Sequence, residues 1–220
     1  MMKKIVFYVT AAEETSATEY FLKQFKNSRL SFNNDKFYFT SASEGDYSER
    51  KSSEVIQVDC LLIEFDEKLS NALQTVLEES YEVAKTISEE KMGKLEQSVH
   101  SEIITTVDKY GHEECKSVFY LVSELFYKLL MGHHLTNGNK RLAFMFLISC
   151  LRFFGYHLPW TYGEKKDYKH YESRIVKWVE KFQKNGTNNS DQTNKISYNV
   201  KEIMKWLIFG SRVVIALEWR

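Results

Sequence analysis

The feature that most constrains the fold of this chain is an almost continuous apolar stretch, RLAFMFLISCLRFF, which runs from Arg141 to Phe154. A helix on a protein surface shows one apolar stripe, whereas a helix that is apolar nearly all round is buried on every side. The stretch therefore predicts a helix at the centre of a bundle. Gly155 follows it directly and predicts a left-handed residue at the helix C-terminus.

Amphipathic segments elsewhere in the chain supply the other helices of the bundle. In these segments apolar residues recur at intervals of about 3.6 residues, which is the period of an α-helix. The chain has a single proline, Pro159, which also favours a helical fold, because proline and glycine are the usual turn residues between the strands of all-β folds. The predicted helices run from Asp66 to Ile87, from Lys94 to Val107, from Cys115 to Met131, from about Tyr168 to Phe182, and from near Ser197 onward.

The N-terminal part of the chain has a different pattern, which predicts strands. Three runs are rich in β-branched and aromatic residues: Lys3 to Thr10, Lys36 to Thr40 and Val55 to Val58. A helix is predicted between the first two runs, from Ala12 to Phe25, because its aromatic residues share one helical face. These patterns together predict a small α/β region at the N-terminus.

The whole chain is therefore predicted to be mainly α. Its 220 residues give room for one large domain with an appendage. We divide it into a strand-containing N-terminal extension over residues 1–60, a helical bundle over residues 61–185, and a linker with a C-terminal helix over residues 186–220.

The charge balance bears on the class of partner. Thirty Lys and Arg residues match thirty Asp and Glu residues, so the formal net charge is zero. Proteins that bind nucleic acid through its phosphates usually carry a basic surface, and this composition does not support one. The composition therefore gives no support for a nucleic-acid partner and does not exclude one.

The cysteines and the apolar runs predict a cytoplasmic protein. Cys60, Cys115 and Cys150 include no CxxC pair and lie next to apolar residues, which is typical of buried, reduced thiols. The run from Ile5 to Val9 is shorter than the apolar region of a secretory signal peptide, which has about 7 to 15 residues. The segment from Trp206 to Leu217 is likewise too short and too interrupted to span a bilayer, so no membrane association is expected.

The segment His133 to Arg141, HHLTNGNKR, carries the clearest chemical signal. It leads straight into a predicted helix whose first turn contains Asn139, Lys140 and Arg141. A helix start binds anions through its free N–H groups and its dipole, a glycine such as Gly138 lets a phosphate approach the backbone, and two cations add counter-charge. A histidine just before such a loop can act as a general base on a hydroxyl beside the phosphate. The segment predicts transfer of a phosphate-containing group.

This segment resembles the signature of the Fic and Doc (death-on-curing) family. That signature is a histidine, any residue, phenylalanine, any residue, an acid, Gly or Ala, Asn, Gly or Lys, and then Arg. The match begins at His133, and the letters GNKR from Gly138 to Arg141 have the form typical of the Doc-like branch. The AMP-transferring branch has a second arginine where this chain has Phe144. The resemblance covers about residues 61–185 and implies the helical bundle of that family.

The resemblance also implies roles for the residues of the segment. His133 would deprotonate a Ser, Thr or Tyr hydroxyl of a target protein, and Gly138, Asn139, Lys140 and Arg141 would hold the phosphates of ATP or another nucleotide. Asn137 occupies the position of a Mg²⁺ ligand. The product in most of the family is an AMP-modified protein. Doc-type members phosphorylate a translation factor and are toxins that a partner antitoxin neutralises.

Two residues depart from the family signature. Leu135 replaces the phenylalanine, and because both side chains are apolar, we expect Leu135 to pin the loop into the core. Asn137 replaces the acid, and a neutral amide oxygen is a weaker ligand for Mg²⁺ than a carboxylate. The second departure weakens the case for metal-assisted catalysis.

Alternatives to a catalytic role therefore stay open. The chain also fits a degenerate, non-catalytic relative that binds nucleotide or a partner protein, or a regulatory protein whose N-terminal region does the recognising. Without the family resemblance, His133 and His134 would be interpreted as a solvated helix end, and Asn137 and Gly138 as an ordinary turn.

Overall fold

The computed structural model describes residues 3–10, 30–33, 36–40, 53–115, 117–158, 173, 175–182 and 192–213. Within these residues the chain is mainly helical with a small sheet near its N-terminus, which confirms the predicted fold class. The strands are β1 (Lys3–Val9), β2 (Leu30–Asn33), β3 (Lys36–Thr40), β4 (Ser53–Leu62), β5 (Tyr156–His157) and β6 (Arg212–Val213). The helices are α1 (Glu67–Thr86), α2 (Gln97–His112), α3 (Val118–Met131), α4 (Asn139–Phe153) and α5 (Gln192–Gly210), and residues 175–182 are also helical.

The helix α4 lies at the centre of the helical part, as its apolar sequence predicts. All its residues from Arg141 to Ile148 are buried, and the helix packs against both α1 and α3. Gly155 has a φ of +85°, which confirms the left-handed residue predicted after the helix. The helix begins at Asn139, as the segment His133 to Arg141 predicts, two residues before the apolar stretch starts at Arg141. Asn139 and Lys140 are polar, so the apolar pattern could not include them.

The helices α1, α2 and α3 confirm three of the amphipathic segments, with differences at their ends. Side chains cap two of them, because Asp66 accepts a hydrogen bond from the Leu69 N–H at 2.9 Å and Ser117 accepts one from the Tyr120 N–H at 3.0 Å. The helix α3 therefore starts after Ser117 and not at Cys115. The helix α2 starts at Gln97, later than Lys94, and continues past Val107 to its end at His112. The buried Tyr110 extends its apolar face into this last turn, so the predicted segment ended one turn too early.

A buried carboxylate ties α2 to α3. Glu124 on α3 is 5% exposed and accepts a hydrogen bond from the Tyr110 hydroxyl on α2. Lys109 and Lys128 place their ammonium groups 3.3 and 3.7 Å from the same carboxylate. Burial, together with the bond to Glu124, raises the pKa of the Tyr110 phenol. The carboxylate and the two ammonium groups compensate one another and hold α2 against α3.

The N-terminal strands form one mixed sheet in the order β1-β4-β3-β2. The strands β1 and β4 are parallel, whereas β3 is antiparallel to both of its neighbours. The three predicted strands are confirmed, and β2 was not predicted because its sequence, LSFN, contains no β-branched residue. The sheet joins the helical part where the Tyr8 N–H donates to the Phe154 carbonyl at 3.0 Å. The boundary placed between residues 60 and 61 falls inside β4.

The C-terminal helix packs on the bundle. The helix α5 begins at Gln192, earlier than the predicted start near Ser197, and its residues Ile203 and Leu207 are buried. Its first residues are polar, so the apolar pattern does not reveal them. Trp178, on the helical segment 175–182, has its ring edge-on to the rings of Phe126 and Trp206, which is core packing.

Several predictions from the sequence lie outside the described residues. They are the helix from Ala12 to Phe25, the start of the segment from Tyr168, the part of the linker over residues 186–191 and the side chain of Cys60. The other two cysteines, Cys115 and Cys150, are buried thiols that form no disulfide with each other, and burial raises the pKa of Cys150. Among the helices described, none combines the length and the apolar character that a membrane span requires.

Candidate functional site

The predicted site is a loop that joins the end of α3 to the start of α4. We call residues 133–141 the motif loop. Gly132 closes α3, and His133 follows with a φ of +49°, the one positive φ of a non-glycine residue in the described part of the chain. Gly138 precedes α4 with a φ of +95°, and its carbonyl accepts the first helical hydrogen bond, from the Leu142 N–H at 3.0 Å. Two left-handed residues thus turn the chain from α3 into α4.

The middle of the motif loop is pinned in two ways. Leu135 is 3% exposed, so its side chain packs in the core as the sequence predicts. Asn139, on the first turn of α4, brackets the Leu135 backbone: the Leu135 N–H donates to Asn139 Oδ1 at 2.8 Å, and Asn139 Nδ2 donates to the Leu135 carbonyl at 2.6 Å. Asn139 therefore shapes the loop with its side chain, and only its backbone N–H is left for a ligand.

The two adjacent histidines have different environments. His133 is exposed to solvent, which suits a base that must reach a hydroxyl of another protein. His134 is buried, with its Nδ1 atom 3.2 Å from the Ser98 hydroxyl of α2. The interpretation of this pair as a solvated helix end therefore fits His133 and fails for His134.

The first turn of α4 has the features of an anion site. Gly138 provides no side-chain cap, so the N–H groups at the start of the helix are not capped by it. Lys140 is exposed, whereas Arg141 is 6% exposed. Arg141 donates from Nη1 to the Glu90 carbonyl at 3.0 Å, and its Nη2 atom is buried without a hydrogen-bond partner among the described residues. A buried cation beside the positive end of a helix dipole favours a bound anion.

Residues 90–93, which we call the strap, lie directly against the motif loop. Asn137 Nδ2 donates to the Lys91 carbonyl at 3.0 Å, and the Gly93 N–H donates to the Asn137 carbonyl at 2.9 Å. A Cβ atom on Gly93 would come within 2.5 Å of the Thr136 hydroxyl, and one on Gly138 within 2.7 Å of the Met92 side chain. Both glycines are therefore needed for this close contact.

The strap also reaches the buried arginine and α1. The Glu90 carboxylate lies 3.9 Å from Arg141 Nη2 and is itself largely exposed, so it is a weak partner for that charge. The Tyr81 hydroxyl of α1 donates to the Gly93 carbonyl at 2.8 Å and ties the strap to the bundle. The strap thus accepts hydrogen bonds from Nη1 of Arg141 and Nδ2 of Asn137. The other two atoms, Nη2 of Arg141 and Oδ1 of Asn137, have no hydrogen bond to the strap.

The predicted metal position has little to offer a metal by itself. Asn137 is exposed, and with Nδ2 committed to the strap it has one neutral amide oxygen to present. Within the described residues no three His, Cys, Asp or Glu side chains are grouped so that they could hold a metal ion. These side chains do not make a Mg²⁺ site without further oxygen ligands.

A cleft elsewhere on the bundle has the wrong charge for a phosphate. It has a volume of about 350 Å³, lies between the start of α1 and α2, and shares no lining residue with the described motif loop. Asp66, Glu67 and Asp108 line it. Because three carboxylates repel anions, the motif loop is the better candidate for phosphate binding.

The structure thus brings together Asn137, Gly138, Asn139, Lys140 and Arg141 at one end of α4 and places the exposed His133 at the start of the same loop. Sequence reasoning missed the partners of these residues: Ser98, Tyr81 and the strap. They lie far from the motif along the chain, and the one local signal was Gly93 in a polar stretch between two helices.

Comparison with known proteins gave no match: no protein-family model, no curated protein and no solved structure matches this chain.

Proposed function

We propose that this chain is a Fic/Doc-like transferase. It would move a phosphate-containing group, AMP or phosphoryl, from ATP or another nucleotide to a hydroxyl of a target protein, with His133 as the base. A role as the toxin of a toxin–antitoxin pair is part of this proposal, since the GNKR letters are those of the Doc-like branch.

One observation carries the proposal, the buried Arg141 on the first turn of α4. Placing a guanidinium in a protein interior is unfavourable unless its donors are satisfied, and here Nη2 lacks a hydrogen-bond partner in the described residues. A phosphate group at the helix start could accept from Nη2, from the uncapped N–H groups and from Lys140. This arrangement favours a phosphate-bearing substrate over a neutral one.

The second candidate function is a non-catalytic nucleotide-binding protein. Asn137 favours it, because the amide donates to the strap and presents at most a neutral oxygen where relatives in the proposed family place an acid. Such a protein would bind the phosphates through the same atoms and transfer nothing.

Mass spectrometry separates the two candidates. Proteins from a cell lysate are incubated with the full chain, ATP and Mg²⁺, and their masses are compared with those after incubation without the chain. A mass increase that matches phosphate or AMP on a Ser, Thr or Tyr residue supports the transferase and identifies the group. Unmodified proteins, combined with tight ATP binding by the chain, support the non-catalytic protein.

Restoring the acid at position 137 tests the role of the metal. We expect Asn137→Asp to increase the ratio of ATP affinity with Mg²⁺ to ATP affinity without it, because a carboxylate is a better ligand for Mg²⁺ than an amide oxygen. The variant also loses the exposed bond to the Lys91 carbonyl, which contributes about 0.5 to 1.5 kcal/mol to the stability of the loop. The ratio is the appropriate measure because that loss affects both affinities equally.

The control for this variant is Asn71→Asp, which adds the same charge at an exposed position on α1. Its Mg²⁺ ratio should equal that of the unmodified chain. An equal ratio in Asn137→Asp would mean that position 137 does not face the metal bound by the nucleotide.

A further inference from the structure

His134 makes a contact that the proposed chemistry does not use. It is 9% exposed, and its Nδ1 atom lies 3.2 Å from the Ser98 hydroxyl, which is on the first turn of α2. Its other ring nitrogen, Nε2, is buried without a hydrogen-bond partner among the described residues. The bond to Ser98 is therefore the described polar interaction that holds this ring in place.

The ring of His134 is folded back over the end of α3. A Cβ atom on Gly132 would collide with His134 Nε2, so only a glycine leaves room for the ring at that place. His133 lies between these two residues with its φ of +49°. A left-handed backbone costs a residue other than glycine about 1 to 2 kcal/mol, so the surrounding structure must hold it.

Two anchors follow His133, and they act on different parts of the loop. Leu135, with its bracket from Asn139, fixes the middle of the loop and the start of α4. His134 directly follows His133 in the chain, and its side chain contacts a different helix, α2. Of these two anchors, the bond between His134 and Ser98 is therefore the one nearer to His133 along the chain.

From these contacts we propose that His134 is a positioning residue for His133. Its bond to Ser98 clamps the start of the motif loop to α2, keeps His133 in the left-handed conformation, and directs the His133 ring toward solvent. The catalytic consequence rests on the proposed transferase function, whereas the conformational clamp can be tested without it.

Ser98→Ala removes the clamp with little disturbance of the fold, because Ser98 is exposed. The matched control is Ser101→Ala, an exposed serine of the same helix whose hydroxyl donates only locally, to the Gln97 carbonyl at 3.2 Å. Ser98→Thr keeps a hydroxyl at the position and should restore the clamp.

Amide hydrogen exchange, followed by mass spectrometry, measures the clamp directly. We expect peptides that cover residues 132–136 to exchange about two- to tenfold faster in Ser98→Ala than in the unmodified chain, which is the effect of losing one ordinary hydrogen bond. Ser101→Ala and Ser98→Thr should exchange at the unmodified rate. Equal exchange in Ser98→Ala and Ser101→Ala overturns the clamp.

Kinetics test its catalytic consequence. Once transfer has been observed, Ser98→Ala should lower kcat by about two- to tenfold and leave the KM for ATP unchanged, since the phosphates are held at the other end of the loop. A purely structural role would change neither constant or both together, and either result overturns the positioning role. Failure of the unmodified chain to transfer any group contradicts the proposed function, while the exchange experiment still decides the clamp.

Discussion

Replacing His133 by alanine should lower the rate of group transfer by at least about 100-fold, which is the low end of what a general base contributes. The free energy of unfolding should change by no more than about 0.5 kcal/mol, because His133 is exposed and takes no part in the core. The loss would therefore arise from missing chemistry and not from a lost fold. The measurements are the transfer rate with ATP and Mg²⁺ and the midpoint of thermal unfolding.

The control for this variant is His112→Ala. His112 is an exposed histidine at the end of α2, and its one described ion pair, with Asp108 at 3.9 Å, is a surface pair. The control should transfer at the unmodified rate. Full transfer by His133→Ala would remove that residue as the base, and the search for a base would then move to another side chain of the loop.

Replacing Leu135 by alanine should have the largest effect on stability. The side chain is 3% exposed, and truncating a buried leucine costs about 2 to 5 kcal/mol. Because the same residue pins the motif loop, ATP affinity should also fall at a temperature where the variant is still folded. Chemical denaturation gives the first quantity and calorimetric titration gives the second.

Two further variants serve as controls for the loss of apolar volume at position 135. Leu135→Met retains most of the apolar volume and should cost less than about 1.5 kcal/mol, with ATP affinity unchanged. Leu61→Ala, at a position 41% exposed, should have almost no effect on either quantity. If Leu135→Ala weakened stability but bound ATP normally, the side chain would serve the core alone and the loop would keep its shape without it.

The features of the fold that could be predicted from the sequence are those set by long apolar patterns. The stretch from Arg141 to Phe154 predicts a central helix because almost no polar residue interrupts it, and α4 is buried at every residue from Arg141 to Ile148. Polar helix ends were less predictable. The start of α5 contains residues such as Gln192, which carry no apolar period.

The sequence predicts the residues of the candidate site that follow one another in the chain, but not their partners from other helices. The letters HHLTNGNKR predict a helix start with free N–H groups, and the structure has that start at Asn139. Nothing local in those letters indicates that Arg141 is buried beneath the Glu90 carbonyl, or that His134 reaches Ser98. Both contacts depend on how α1, α2 and α3 pack, which is a property of the folded chain.

The different fates of the two histidines illustrate the same limit. His133 and His134 have the same side chain and adjacent positions, so composition and spacing cannot separate them. The turn at the end of α3 separates them. The left-handed His133 has its ring in solvent, whereas the ring of His134 lies against Gly132. Only the resemblance to a family signature singled out His133 beforehand.

The central claim is that the first turn of α4 binds the phosphates of a nucleotide, and calorimetric titration of ATP into Arg141→Ala tests it most directly. Arg152→Ala is the control, since it removes the same charge from the last turn of the same helix. We expect Arg141→Ala to weaken binding by about 1.5 to 3 kcal/mol, or roughly ten- to 150-fold, and Arg152→Ala to leave it unchanged. Equal ATP affinity in Arg141→Ala and in the unmodified chain would contradict the account and leave the motif loop with a structural role alone.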